Sequence, residues 1–395
     1  MQVRYRYRVY PDAAQRQALA RAFGCARVVF NDAVRLRDQA HERGEKLSDS
    51  EAQRRVITLA KHTPEREWLG EVASVVLVQA CQDARRAYRN WFDSMAGKRK
   101  GRKAGHPQFK RKHGQQSVRL TRNGFALHGG RLYVAKVGDV TVKWSRPLPS
   151  VPSSVTVIRE PDGRYYASFV VERDTEPLPP CDQETGIDVG LAHLAVTSDG
   201  LKIAAPRFLR KAERRLKKAQ RALSRKSKGS ANRARARHRV AVQHRKVRDA
   251  RLDHAHKTAL SLVRDSQAVY AEDIAVSGLA RTRLAKSVHD AGWSQLLRLI
   301  QEKCERHGRY FAKVGRFEPT SQVCSACGAR DGPKPLAVRK WTCRECGTVL
   351  DRDVNAARNI LALGQRERLN ASGGSVRPPS PVAAAVERGT RRSAA

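Results

Sequence analysis

The stretch TGIDVGLAHLAVTSDG, residues 185–200, places an acid between branched apolar residues. In a strand, Ile187 and Val189 face one side and Asp188 the other, so the carboxylate projects from the face opposite its neighbours. Followed to the turn signal Asp199-Gly200, the run predicts a β-hairpin. Two later stretches also set an acid beside an apolar core. AVYAEDIAV (268–276) reads as a buried strand in which Glu272 shares its face with Tyr270 and not with Val269 or Ala271. DRDVNAARNIL (351–361) reads as a helix starting near Arg352, with Asp353 on the apolar stripe of Ala356, Ala357, Ile360 and Leu361. Asp351 aligns instead with Val354, Asn355 and Arg358, a mixed face, and fits a helix cap.

Three clustered carboxylates repel one another unless divalent cations neutralise them, and an oxygen-rich site selects Mg²⁺ or Mn²⁺. Two such ions about 4 Å apart activate a water and stabilise the leaving oxygen of a phosphodiester, which is nuclease chemistry. Each acid alone has a plainer reading: Asp188 as a turn residue, Glu272 as the partner of an arginine, Asp353 as an N-cap. Their joint presence in a strongly basic chain favours a metal site built from Asp188, Glu272 and Asp353.

The net charge is +40 at pH 7 over 395 residues, far more than solubility requires, and it calls for a polyanionic partner such as nucleic acid. No apolar run approaches the roughly 20 residues of a membrane-spanning helix. No signal peptide is recognisable, so a cytoplasmic, nucleoid-associated protein of a prokaryote is expected, with no membrane partner.

Cys324, Cys327, Cys343 and Cys346 form two Cys-x-x-Cys pairs separated by 15 residues, each followed by a glycine, Gly328 and Gly347. That spacing marks a zinc ribbon, and four thiolates close a tetrahedral shell with no open position, as in structural Zn²⁺ sites. Cys25, Cys81, Cys181 and Cys304 are scattered and suggest no disulfide framework.

MQVRYRYRVYP alternates Val3, Tyr5, Tyr7 and Val9 with arginines and predicts a strand. From Asp12 to about Met95 the spacing is helical. GKRKGRKAGHPQFKRKHG (97–114) is a basic connection, and 117–172 breaks into short alternating runs that predict a small β-barrel joined by the first strand. Between Pro206 and Arg251 stand 19 Lys or Arg against Glu213 and Asp249, with a break at 226–232, which predicts a basic helical hairpin. SQLLRLIQEKCERHG (294–308) reads as an amphipathic helix and RYFAKV (309–314) as a strand, the alternation of an α/β domain. The Gly, Pro, Ser and Arg-rich tail lacks a core-forming pattern.

GIDVGLAHLAV, LSRKSKGSANRARAR, AEDIAVSGL, TSQVCSACG, WTCRECG and DRDVNAARNIL, in this order and preceded by RYRVYP and GHPQFKRK, resemble the TnpB family of transposon-encoded proteins, relatives of compact type V CRISPR nucleases. The resemblance reaches to about residue 364. It implies a multidomain α/β protein with an RNase H-like (RuvC) nuclease domain at 181–320 plus 350–365, containing the basic hairpin 206–251. A zinc ribbon at 321–349 is inserted before the last acid. The resemblance further implies a wedge-like β-barrel at 1–10 plus 97–180, interrupted by a helical recognition unit at 11–96, and leaves 366–395 as a disordered tail. Asp188, Glu272 and Asp353 correspond to the family's catalytic acids.

The expected partners are a guide RNA derived from the transposon end and a double-stranded DNA target cut beside a short adjacent motif, with the protein acting as monomer or homodimer. Guided recognition needs many neutralised phosphates while base pairing reads sequence. Candidate backbone contacts are Lys98, Arg99, Lys100, Arg102, Lys103, Lys110, Arg111 and Lys112 in the first basic run. Arg225, Lys226, Lys228 and Arg233 are the candidates in the second. The alternatives are a guided DNA-binding repressor that does not cut, a compact CRISPR effector of the same fold, and a strand-joining transposase. Three intact acids argue against the first of these.

Overall fold

The computed structural model describes residues 1–99, 101–335 and 337–371, with short paired strands β15 (Gly374–Ser375) and β16 (Glu387–Arg388) beyond them. The rest of the expected tail and Lys100 lie outside the described residues. The chain forms two compact units, Met1–Arg173 and Asp174 onward.

In the first unit, β1 (Gln2–Tyr10) buries Tyr5, Tyr7 and Val9 while Arg4 and Arg6 stay exposed, the alternation its sequence predicts. Six further strands follow: β2 (Gln116–Thr121), β3 (Phe125–His128), β4 (Arg131–Val134), β5 (Gly138–Lys143), β6 (Ser154–Arg159) and β7 (Tyr165–Glu172). They join β1 in one antiparallel sheet of order β2-β6-β7-β1-β5-β4-β3. β1 thus lies at the centre of the sheet, with Tyr5 opposite Phe169 and Val9 opposite Val142. Between β1 and β2 the chain is helical. α1 (Ala13–Glu42) starts at a capping box in which Asp12 accepts from the Gln15 N–H and the Gln15 side chain accepts from the Asp12 N–H. α2 (Asp49–Gln53), a π-helical turn Arg54–Leu59 and α3 (Ser74–Met95) follow, and Leu19, Val29, Ala33, Leu77 and Ala84 pack together in the core.

In the second unit, β8 (Glu184–Asp188), β9 (His193–Thr197) and β10 (Lys202–Ala204) form an antiparallel meander. The Asp199-Gly200 turn therefore joins β9 to a third strand instead of closing the predicted hairpin, whose own bend lies between Asp188 and His193. β11 (Ala268–Glu272) and β12 (Tyr310–Val314) add parallel to β8, giving the order β10-β9-β8-β11-β12. The segment before β8 belongs to this unit: Glu176 and Leu178 donate backbone N–H to the carbonyls of Arg306 and His307.

The crossover from β10 to β11 carries α4 (Phe208–Ser224) and α5 (Ala231–Arg264), and α6 (Val276–Leu279), α7 (Ala285–Ala291) and α8 (Trp293–His307) precede β12. One sheet face buries Ile187, Val269 and Ala271 with Ala259, Val263, Leu296 and Ile300. The other receives α9 (Arg352–Ala371), whose Ile360 packs with Tyr270 and Val314. Glycines allow this approach: a Cβ on Gly186 would stand 2.1 Å from the Ala357 carbonyl oxygen, and one on Gly364 2.1 Å from the Tyr270 ring. α9 runs to Ala371, past the helical end the sequence suggests.

Candidate active site and metal centre

Asp188 and Glu272 are the last residues of the neighbouring parallel strands β8 and β11, and the register Ala271 to Ile187 sets them side by side. α9 crosses the same face and brings Asp353 to them in its first turn. Burial, then the charges of Asp353 and Glu272, push the Asp188 carboxyl up to about 7. Glu272 is raised as well, by burial and by Asp273. All three side chains remain partly open to solvent. Among the described residues, only the cysteine quartet brings three or more ligand atoms all within 4.8 Å of one another, so at least one pair among the three carboxylates stands farther apart than that. Mutual repulsion spreads uncompensated carboxylates, and a pair of ions does not require all three on one centre. The donor set, three carboxylates at two strand ends and a helix start, suits hard cations.

Asp351 caps α9: its Oδ1 accepts the N–H of Asp353 and of Val354, both at 3.1 Å. Burial works to raise its pKa, but the Lys202 ammonium at 2.6 Å and these N–H groups outweigh it, and the net shift is downward. It is thus held apart from the acid cluster. Two groups that the sequence did not single out flank Asp353: Arg339 Nη1 lies 3.4 Å from Oδ1, and His193 Nδ1 3.9 Å from Oδ2.

In the ribbon, β13 (Lys340–Thr342) and β14 (Val349–Asp351) pair antiparallel behind the second knuckle. Cys324 Sγ lies 3.7 Å from Cys346 Sγ, and Cys327 Sγ 3.7 Å from Cys343 Sγ. Tetrahedral Zn–S bonds of about 2.3 Å require sulfur separations of about 3.8 Å. The quartet fits Zn²⁺. Gly328 (φ +77°) and Gly347 (φ +69°) take the left-handed conformation that folds each knuckle back. The Thr348 hydroxyl, 3.2 Å from Cys346 Sγ, leads in lowering that thiol to about 6.

Asn355 and Asn359, one turn apart on α9, both donate to the carbonyls of Thr320 and Val323, which lead into the first knuckle. Asn355 also accepts from the N–H of Ser325 inside it. Their spacing places them on one helix face, the only sequence signal that could have found them. Asp290 had no local signal at all. It is buried, and it caps the start of α4 from a distant element by accepting from Leu209 N–H at 2.8 Å and Arg210 N–H at 3.2 Å, with Arg251 as counter-charge at 3.3 Å.

Of the basic candidates, Lys98, Arg99, Arg102, Lys103, Arg111 and Lys112 are exposed, as are Arg225, Lys226 and Lys228 at the tip joining α4 to α5. Two have structural work. Arg233 donates to the carbonyls of Leu223 and Lys226 and closes the tip. Lys110 is exposed as a residue, but its ammonium sits 3.9 Å from the centre of the Phe30 ring, where desolvation lowers its pKa. Its backbone is clamped in both directions by Asn31.

The OrfB_IS605 family model, described as probable transposase, matches residues 168–283, and the associated helix-turn-helix model matches residues 1–46. In the structure residues 1–46 hold one strand and one long helix. A Cas12f1-like TNB domain model matches residues 293–360, which span the ribbon. A protein of Streptomyces pristinaespiralis named "Putative RNA-guided DNA endonuclease" is 39% identical over 95% of this chain and 92% of its own length. Escherichia coli InsQ, of the same named type, is 29% identical over 91% of this chain and 92% of its own length. Among solved structures, a Cas12f1–sgRNA–target DNA complex aligns with TM-score 0.56 at 13% identity, covering 89% of this chain and 83% of that one, a likeness of fold.

Proposed function

We propose that this chain, which belongs to the TnpB family of OrfB-type probable transposases, is an RNA-guided, metal-dependent DNA endonuclease of an insertion sequence. The observation that supports this most is the convergence of Asp188, Glu272 and Asp353, from two strand ends and one helix start, in a chain carrying +40. The sheet order, an antiparallel meander followed by two parallel strands, supports the RNase H-like (RuvC) reading of 181–320 plus 350–365. On that reading 321–349 is the zinc ribbon, and the first unit combines a wedge-like barrel (1–10 and 97–173) with a helical recognition unit (11–96), the expected end of the barrel at 174–180 belonging to the second unit.

When bound, two Mg²⁺ or Mn²⁺ ions would polarise the attacking water and neutralise the leaving oxygen of the phosphodiester. Asp188, Glu272 and Asp353 would hold them. Asp351 keeps the first turn of α9 wound so that Asp353 faces the strand ends. Arg339 pairs with Asp353 and would offer positive charge to a phosphate bound beside it. The exposed cations of 98–112 and 225–228 would lie along guide and target backbones, binding without reading sequence. Such a protein works where the chromosome is, in the cytoplasm and nucleoid.

The test is co-expression with the native downstream genomic flank, followed by sequencing of the RNA that co-purifies. The particle is then given a plasmid library with the matched target beside randomised bases, with and without Mg²⁺, and Asp188→Ala as control. Discrete RNA and Mg²⁺-dependent cuts lost in the variant support the proposal. Target binding without cuts favours a guided repressor, and absence of bound RNA rejects both.

A further inference from the structure

Phe317 is 94% exposed, the most exposed large apolar side chain among the described residues. Single exposed apolar residues are ordinary on protein surfaces. This one is distinguished by its support and its place. It sits in a turn closed by the Glu318 N–H on the Gly315 carbonyl, in the connection from β12 to the ribbon. On one side the turn is pinned by its neighbour Arg316, whose Nε donates to the Asp273 carbonyl at 3.0 Å and whose Nη2 meets the Asp273 carboxylate at 2.5 Å. Lys313 adds a contact to the same carboxylate at 3.5 Å. On the other side, the Thr320 carbonyl accepts from Asn355 and Asn359 of α9. Asp273 directly follows Glu272 and donates its N–H to the Val314 carbonyl, so the braced turn rises from the strand edge where the carboxylates meet.

A phenyl ring held bare in water on a braced turn beside a phosphodiester-cleaving site has a chemical complement there, the face of an unpaired base. Every base offers a π-face, and stacking on an aromatic side chain tolerates any sequence, as a guided enzyme requires. Bases within a duplex are already stacked on their neighbours, so the ring selects a single strand. We propose that Phe317 stacks on a base of the DNA strand entering the carboxylate site and so holds that strand there. The inference rests on the nuclease reading above.

The test uses the full chain with its co-purified guide RNA, comparing wild type with Phe317→Ala, Phe317→Tyr, Phe317→Trp and, as a control in the other unit, Val151→Ala, a residue 79% exposed. Cutting of a guide-matched single-stranded oligonucleotide is followed for kcat and KM. A second oligonucleotide bearing 5-iododeoxyuridine is photocrosslinked, and the modified peptide is mapped by mass spectrometry. The alanine variant is expected to raise KM about tenfold with kcat within about twofold, the loss of one stacked base. The crosslink should fall on Phe317 in the wild type and vanish in alanine, while tyrosine, tryptophan and the control behave as wild type. Unchanged KM with no crosslink at 317, or a crosslink from Phe317 to the guide RNA in place of the DNA, overturns the inference while leaving the nuclease reading intact. If the wild type cuts no better than Asp188→Ala, the nuclease reading fails, and the crosslink alone then decides whether Phe317 meets single-stranded DNA.

Discussion

Ser325, in the first cysteine knuckle, donates its backbone N–H to the Asn355 side chain at 2.8 Å and thereby ties the ribbon to the helix carrying Asp353. Asn355 is 1% exposed and donates in turn to the Val323 carbonyl at 2.8 Å. Replacing it by alanine leaves the Ser325 N–H without its partner and the Thr320 and Val323 carbonyls with Asn359 alone, at a cost of about 1–3 kcal/mol. Asn355→Ala should therefore lower the unfolding temperature of the zinc-loaded protein and speed zinc loss to a chelator. Calorimetry with a zinc-release dye checks both, and unchanged values would show that the ribbon and α9 are not coupled.

Substitution of the acids should separate activity from stability. Asp188→Asn removes a charge that its neighbours oppose, so the metal-free protein should unfold at a higher temperature than its parent. Cutting should fall at least about a hundredfold, the scale for losing a group that stabilises developing charge. Guide RNA should co-purify at the parental yield. A variant that cuts normally would remove Asp188 from the mechanism.

A pH series follows from the same carboxylate. Its folded-state pKa of about 7 exceeds the ordinary 3.8, so between these values the native state holds a proton that the unfolded chain has released. Metal-free stability should thus decline as pH rises from about 4 to about 7 and level off above. Divalent cations compete with that proton. The gain in melting temperature on adding Mg²⁺ should be small at pH 5.5 and large at pH 8; an equal gain at both would place the ion elsewhere.

Elemental analysis should find one zinc per chain. Cys343→Ser, at a buried ligand position, should release it and loosen the segment 321–349, seen as faster amide exchange there. Retained zinc at full occupancy would mean that the quartet is not the site.

Gly186→Ala puts a methyl 2.1 Å from the Ala357 carbonyl oxygen and 2.6 Å from the Leu361 nitrogen, both backbone atoms. α9 must withdraw, at a cost of about 3 kcal/mol or more. Asp353 would withdraw with it. The variant should lose melting temperature and cutting together, and loss of neither would argue that the helix packs less closely.

What could be read in advance was whatever local chemistry writes into neighbouring residues. The Cys-x-x-Cys pairs, the alternation of β1, the two basic helices and the face shared by Glu272 and Tyr270 all follow from spacing along one element, and the structure places them so. Strand β10 escaped notice because Lys202–Ala204 is too short to show a period. Asp290 and His193 take their roles from elements far away in sequence, and Arg339 from a different element 14 residues on, which no periodicity reports. Arg233 and Lys110 looked like free cations because composition counts charge without showing what each head group touches.

The placement of Asp353 on α9 has a consequence for the timing of activity. It follows Asp188 by 165 residues, with the entire ribbon made just before it. A chain still on the ribosome, or one cut short ahead of α9, carries two acids and an uncovered sheet face. If Asp353 is a catalytic acid, as proposed, phosphodiester cleavage becomes available only after the basic hairpin and the ribbon have been synthesised.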